Sequence, residues 1–253
     1  MIRWPLFRYA LIAALRDKLI LMLALLLVVG ASLSIFMGSA AVAEADQFAL
    51  VFAGGGLRMA GVLGLSLFIV FYLRKSFDSK DVEYLLSRPV SRISFITTHA
   101  AAFSCLALIL GGFVFLTVCA IGPHHIGAGH YLWGFSLIVE YIIIANIAMF
   151  FAMVLPNATA GTLAVMAFYV LARMIGEILG IMDSGILPPR FEFASTIMEF
   201  ISLVIPRLDL LAQTGWLLYG AEGISYLFVA IQGIVFTALV VLAAMIDLSR
   251  RQF

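Results

Sequence analysis

The sequence has few charged residues, and this scarcity excludes most classes of soluble protein. Only 11% of its 253 residues are Asp, Glu, Lys or Arg, whereas 64% are hydrophobic. A typical soluble domain is about half apolar and about a quarter charged. The mean hydropathy of +1.14 excludes a water-soluble enzyme and a disordered chain, and it indicates a polytopic membrane protein.

The sequence also has few cysteines and a small net charge. Cys105 and Cys119 are the two cysteines, and both lie in one apolar run. Fourteen residues of helix separate their Cα atoms by about 21 Å, so they cannot form a disulfide within that helix. The net charge of +1 gives no electrostatic basis for binding nucleic acid, and we expect no nucleic-acid partner.

The motifs of common catalytic sites are missing as well. No Gly is followed by Lys, so the chain lacks a phosphate-binding loop and cannot drive itself with nucleotide by that route. The sequence also has no H-E-x-x-H, G-x-S-x-G or CxxC. We therefore expect that this chain is not an enzyme and holds no cofactor of its own.

Long hydrophobic runs are abundant. A helix needs about 20 apolar residues to cross a bilayer, and six runs meet this length: about 19–40, 51–73, 95–121, 131–155, 160–182 and 224–246. Residues 1–18 combine basic side chains with an apolar stripe of Phe7, Leu11 and Leu15, which predicts an interfacial helix. The prediction is an all-α protein with one transmembrane domain over residues 1–253.

The distribution of Lys and Arg predicts the orientation. Eleven of the 15 cations precede the first run, separate the second from the third, or follow the sixth. By the positive-inside rule these segments and both termini are cytoplasmic, in an integral protein of the bacterial inner membrane. We favour a retained first span over a signal peptide, although Gly38-Ser39-Ala40 leaves cleavage open.

Four charged residues fall inside predicted spans, where charges are costly. Arg58 lies near the start of the second span and is expected to extend towards the outer interface. Glu140 lies near the middle of the fourth span, and Arg173 and Glu177 form an i, i+4 pair in the fifth. Glu140, Arg173 and Glu177 are candidates for a translocation path or a subunit interface. The alternative is a structural Arg173–Glu177 pair, which we favour for those two residues, with Glu140 hydrogen-bonded between helices.

The outer connections carry two further features. Three histidines in or beside the loop 122–130 (His124, His125 and His130) offer imidazole ligands, although histidines in a short Gly-rich outer loop are more often solvated polar residues near an interface. We expect no metal site beyond this weak candidate. The connection from Asp183 to Gly223 contains two short amphipathic segments around Pro206, which predict short outer helices before the last span.

The inner connection between the second and third spans is the most informative segment. Residues 76–87 predict a short helix, with Asp78 or Ser79 at its N-cap and Val82, Leu85 and Leu86 on one face. Arg88-Pro89 would end this helix, because the residue before proline avoids helical geometry. Ser91 is positioned to cap the third span. Such a helix between two membrane helices is suited to docking a partner in the cytosol.

This connection resembles that of the membrane subunits of type-2 ABC exporters. In that family the first cytoplasmic loop has acidic residues, Leu-Leu and then Ser-x-Pro-x-Ser-Arg, which here is Asp81 to Arg92, D-V-E-Y-L-L-S-R-P-V-S-R. The resemblance extends to six spans, a basic N-terminus and Pro206-Arg207-Leu208 before the last span. It implies a coupling helix that contacts a separate ATPase through Asp81, Glu83, Leu85, Leu86, Arg88, Pro89 and Arg92.

The same resemblance implies the partners and the mechanism. The expected assembly has two membrane subunits, as a homodimer or as a heterodimer with a related permease, in membrane lipid above two ABC ATPase subunits that bind ATP and Mg. Substrate would move by alternating access, in the export direction. A membrane assembly or scaffold protein and an ATP-independent secondary transporter remain the alternatives.

Overall fold

The structure is a computed structural model, and it describes residues 4–16, 18–41, 44–79, 91–183, 205–221 and 223–250. Within these ranges the backbone forms α-helices and 3₁₀ turns, and it contains no strand. The prediction of an all-α protein is confirmed. We use "outer" and "inner" for the two ends of the helix bundle, following the predicted orientation.

The described chain contains eight α-helices, six of which are long. They are α1 (Trp4–Arg16), α2 (Lys18–Ala40), α3 (Ala45–Asp78), α4 (Arg92–Ile121), α5 (Ala128–Val154), α6 (Ala158–Asp183), the one-turn α7 (Trp216–Tyr219) and α8 (Tyr226–Arg250). Helices α2 to α6 and α8 are long and apolar enough to cross a membrane. The protein is therefore a polytopic integral membrane protein, and each of the six predicted spans corresponds to one long helix.

Helix α3 is longer than the predicted second span. Its 34 residues extend about 51 Å, against about 30 Å for a hydrocarbon core. The helix continues without a break through the three glycines 54–56. Asp78, one of the two predicted N-caps of the coupling helix, is instead the last residue of α3, and Ser79 is the C-cap of α3. Asp78 instead pairs with Arg74 at 2.8 Å.

Helix α5 lies at the centre of the bundle. Its apolar window is 72% buried, against 22% for those of α2, α6 and α8, and it packs against α3, α4, α6 and α8. Trp133 and Tyr141 of α5 are the largest fully buried side chains among the described residues. The apolar faces left exposed on α2, α6 and α8 are suited to contact with lipid or with another membrane helix.

Helix α1 packs across α4 through small residues. Ala10 and Ala14 are buried, whereas Trp4 and Leu15 are exposed. The predicted apolar stripe of α1 does not face one environment, because Leu11 packs against the core and Leu15 faces away from it. Alanines allow the close approach of the two helices, and the larger side chains remain available to lipid.

Two polar residues begin helices at the inner end. Ser91 is the N-cap of α4, and its hydroxyl accepts a hydrogen bond from the Ser94 amide, as the sequence predicted. Asn157 accepts one from the Ala160 amide at 2.8 Å in the tight turn between α5 and α6. Cys105 and Cys119 are free thiols, which confirms that they do not pair.

Candidate functional site

The outer segment, which we define as residues 205–221, enters the bundle from its outer end. The Ala212 amide donates a hydrogen bond to the Ser136 hydroxyl at 2.9 Å, and Ser136 lies eight residues into α5, about 12 Å from its outer end. Leu208, Leu211 and Ala212 are completely buried. The segment therefore reaches a membrane depth at which water cannot satisfy its peptide groups.

The backbone of this segment is irregular where it is deepest. Leu208–Leu210 form a single 3₁₀ turn, and Ala212 has a left-handed backbone with φ of 44°. Such conformations leave carbonyl oxygens without the helical partners that membrane helices provide. Buried carbonyls of this kind need donors from neighbouring side chains.

Three side chains from three helices donate to the Ala212 carbonyl oxygen. Arg58 Nη1 of α3 lies 2.6 Å from it, Trp133 Nε1 of α5 lies 3.2 Å from it, and Arg173 Nη2 of α6 lies 3.4 Å from it. Arg173 Nη1 also donates to the carbonyls of Leu211 at 2.6 Å and Leu208. The two arginines therefore satisfy the irregular backbone of the outer segment.

Glu140 is the buried carboxylate beside these arginines. It is completely buried near the middle of α5, and its Oε2 lies 3.6 Å from Arg173 Nη1. The Tyr169 hydroxyl of α6 lies close enough to interact with it, although neither carboxylate oxygen has a regular hydrogen bond within the described residues. Glu140 offsets one of two partly buried positive charges, and the accepting carbonyls offset part of the other.

We call this group the outer cluster, and it contains Arg58, Trp133, Ser136, Glu140 and Arg173 around Ala212. Tyr141 supports it from the neighbouring turn of α5, because its hydroxyl lies 3.1 Å from the Arg58 carbonyl. The contact depends on Gly61 of α3, where a Cβ would overlap with the tyrosine hydroxyl. The outer cluster thus fixes α3, α5, α6 and the outer segment to one another.

Two predictions about these charges were wrong. Arg58 does not extend to the outer interface, because its guanidinium is held by the Ala212 carbonyl. Arg173 does not pair with Glu177, because it turns towards α5 and the outer segment, while Glu177 is exposed. Interhelical carbonyls and a buried carboxylate outcompete an exposed i, i+4 pair, which is worth only about 0.5 kcal/mol.

Glu177 instead lines a cleft of about 430 Å³ at the outer end of α6. Arg207, Asp209 and Gln213 of the outer segment form its polar wall. Arg207 and Asp209 form a bidentate ion pair with contacts of 3.0 and 2.8 Å. Hydrogen bonds to Asp209 raise the pKa of the Arg207 guanidinium.

The three candidate metal-binding histidines differ in exposure. His124 and His125 are exposed in the 3₁₀ turn Pro123–His125, whereas His130 is buried on α5. Within the described ranges no three His, Cys, Asp or Glu side chains are grouped to hold a metal ion.

Most of the predicted coupling residues lie outside the described residues: Asp81, Glu83, Leu85, Leu86, Arg88 and Pro89. Most of the first of the two predicted outer helices lies outside them too. Arg92 is described, and its guanidinium donates to the carbonyls of Leu248 at 2.9 Å and Ser249 at 3.3 Å. Arg92 therefore joins the inner ends of α4 and α8.

Sequence analysis missed Trp133, Ser136 and Tyr141, whose apolar context predicts only core packing. A signal for the outer cluster was nonetheless present. Arg58 lies seven residues after the start of its predicted span, Glu140 nine after the start of its own, and Arg173 nine before the end of its own. Three charges at one depth are expected to meet, because isolated charges there are costly.

No protein-family model matches this chain, and no curated protein matches it.

Proposed function

We propose that this chain is the membrane subunit of an ATP-driven exporter of the type-2 ABC class, in which a separate subunit hydrolyses ATP. The observation that carries the proposal is the sequence Asp81–Arg92, which resembles the ATPase-docking loop of that class. The helices on either side support it, because α3 and α4 pack together and the segment connects their inner ends. The six membrane-spanning helices agree with this assignment.

The proposed assembly contains two membrane subunits and two ABC ATPases, with both termini in the cytoplasm of a bacterial cell. ATP closes the ATPases, the docking segments move, and the helices rearrange as rigid bodies between inward-open and outward-open states. The outer cluster fits this scheme because it makes α3, α5, α6 and the outer segment one unit. A movement imposed on the inner end of α3 would reach the outer segment through Arg58.

A tagged pull-down from native membranes in mild detergent tests this proposal. Wild type is compared with a triple variant of the docking segment, Glu83→Ala with Leu86→Ala and Arg88→Ala. We expect a soluble ATP-binding subunit to co-purify with wild type and to be lost from the variant. Buried hot-spot residues of an interface commonly cost 2 kcal/mol or more each, so the combined loss is about a thousandfold or greater in affinity.

Lys75→Ala is the matched control, because Lys75 is an exposed cation at the same end of α3 outside the docking motif. It should retain the ATPase. The absence of any ATPase from the wild-type sample, or its retention by the triple variant, would refute the docking assignment.

One observation favours a secondary transporter as the second candidate. Glu140 is a completely buried carboxylate near the middle of a membrane helix, and such groups serve as proton or cation sites in ion-coupled transporters. Its proximity to Arg173 argues for a structural role. Transport that depends on an ion gradient and continues without ATP would favour this second candidate.

A further inference from the structure

The outer cleft, defined above by Glu177, Arg207, Asp209 and Gln213, has the size of a small-molecule site. Its volume of about 430 Å³ falls within the range of roughly 300–1,000 Å³ that such sites occupy. Gly176 and Gly180 of α6 also line it, and their missing side chains create part of this space. A Cβ at Gly180 would meet no atom within 4 Å.

The charges of the cleft leave one carboxylate uncompensated. Asp209 is neutralised by its bidentate contacts with Arg207. Glu177 has no hydrogen bond or ion pair with another described residue. Gln213 uses its amide nitrogen to donate to the Asp209 carbonyl at 3.0 Å, which leaves its amide oxygen as an acceptor. Among the described lining residues the carboxylates therefore outnumber the cations by one, and Glu177 and the Gln213 amide oxygen are available acceptors.

Glu177 also belongs to a lipid-facing stripe of α6. Val170, Met174 and Ile181 share its exposed face at helical spacing, and they are 42%, 49% and 58% exposed. We call these four residues the α6 stripe. Glu177 lies six residues, about 9 Å, from the end of α6 at Asp183. A carboxylate at this position is near the boundary of the hydrocarbon, with apolar side chains below it.

We propose that the outer cleft binds the primary ammonium headgroup of an amphiphile, whose apolar tail lies along the α6 stripe. The ammonium group donates to the Glu177 carboxylate and the Gln213 amide oxygen, while Met174 and Val170 contact the tail. This inference goes beyond the proposed transport function and does not depend on it. It requires only the geometry of α6 and the outer segment.

The chemistry of the cleft selects a primary ammonium over other headgroups. A headgroup without a cation forms no ion pair with Glu177, and a purely anionic one is repelled by it. A quaternary ammonium has the charge but lacks N–H donors. A charge-assisted hydrogen bond is about twice as strong as one between neutral groups, so we expect a preference on the order of tenfold or more over matched headgroups.

The test measures binding of short-chain lipids to the full chain purified in mild detergent, by native mass spectrometry with titration. Dihexanoyl phosphatidylethanolamine is the probe, and dihexanoyl phosphatidylglycerol and phosphatidylcholine have the same tails with other headgroups. Wild type should bind the ethanolamine lipid at least about tenfold more tightly than either. Equal binding of the three lipids overturns the proposal.

Two variants locate the site. Glu177→Gln removes the carboxylate, and Gly180→Leu fills the cleft without meeting another atom at its Cβ. Both should reduce the preference for the ethanolamine lipid to within about twofold. Asp46→Asn, which changes an exposed carboxylate at the outer end of α3, and Gly112→Leu, which adds bulk at an open position of α4, are the controls. Both controls should keep the preference. A preference that persists in either cleft variant overturns the proposal.

Further probes distinguish the possible sources of the ammonium group. If dodecylamine binds with the same dependence on Glu177, the cleft accepts any ammonium amphiphile. If the ethanolamine lipid binds and dodecylamine does not, the cleft also recognises the phosphate. Tight binding of free phosphoethanolamine, which has no tail, overturns the amphiphile assignment. Because none of these assays involves an ATPase, a failure here leaves the docking proposal intact, and the pull-down result leaves this one intact.

Discussion

Arg173 combines two roles that the sequence does not reveal together. Its guanidinium satisfies carbonyls of Leu208, Leu211 and Ala212, and it also lies 3.6 Å from a carboxylate oxygen of buried Glu140. A lysine cannot replace it, because a single ammonium does not have the planar, five-donor geometry of a guanidinium. The positions of the intramembrane arginines are therefore explained by the peptide carbonyls to which they donate hydrogen bonds.

The residue-scale prediction concerns the pairing of Arg173. We expect Glu140→Gln and Arg173→Gln each to lower the free energy of unfolding by about 2–5 kcal/mol, because each leaves a buried charge or buried carbonyls without a partner. The double variant should lose less than the sum of the two, since the groups interact directly. Denaturant unfolding in detergent micelles measures these values.

Glu177→Gln is the matched control for that cycle, because the sequence alone pairs Glu177 with Arg173. Its exposed position predicts a change within about 0.5 kcal/mol. The pairing of Arg173 with Glu140 would be contradicted if Glu177→Gln lowered the free energy of unfolding as much as Glu140→Gln does. Strict additivity in the double variant would contradict it too.

The packing of α3 against α5 depends on one glycine of α3. Gly61 lies against the Tyr141 hydroxyl, and that hydroxyl lies within hydrogen-bonding distance of the carbonyls of Leu57 and Arg58. The long apolar run of α3 was readable from the sequence, whereas the need for a glycine at this crossing was not. Small residues at helix crossings in membranes allow such close approach.

The element-scale prediction compares two glycines of the same helix. Gly61→Ala should destabilise the protein by about 1–3 kcal/mol through overlap with Tyr141. Gly56→Ala should be neutral or stabilising by up to about 1 kcal/mol, because a Cβ there meets no atom and alanine favours the helix. Thermal unfolding monitored by circular dichroism measures both variants. Equal effects would contradict the described crossing of α3 and α5.

The whole molecule is a bundle in which one central helix is surrounded by helices that face lipid. Six spanning helices place the inner ends of α3, α5 and α8 on the same side, and the outer segment on the other. The orientation of the bundle in the membrane follows from the positive-inside rule. In the cell this orientation stays a prediction.

The prediction at the molecular scale is the sidedness of two turns. In a variant that carries Cys105→Ala and Cys119→Ala, the further substitution His124→Cys at an exposed position should give a thiol that reacts with a membrane-impermeant maleimide added to intact cells. A cysteine at exposed Thr159 should react only after the cells are permeabilised. Labelling of both positions, or the reverse pattern, would refute the assignment of both termini to the cytoplasm.

The sequence by itself determined the membrane class, the number of spans and several local features. Runs of about 20 apolar residues define spans because the thickness of the bilayer sets their length. Ser91 was correctly predicted as an N-cap because capping depends on neighbouring residues alone. The docking motif is likewise visible in consecutive residues, and its role stays a prediction.

Only the tertiary structure decided which polar groups meet. Glu140, Arg58 and the outer segment are separated by up to 154 residues in sequence, and local patterns cannot identify such partners. The i, i+4 spacing paired Arg173 with Glu177 because a sequence pattern does not show that the buried carbonyls around Ala212 lie beside Arg173. In a membrane those carbonyls require donors, and this requirement selects the partner of each charge and leaves Glu177 to the outer cleft.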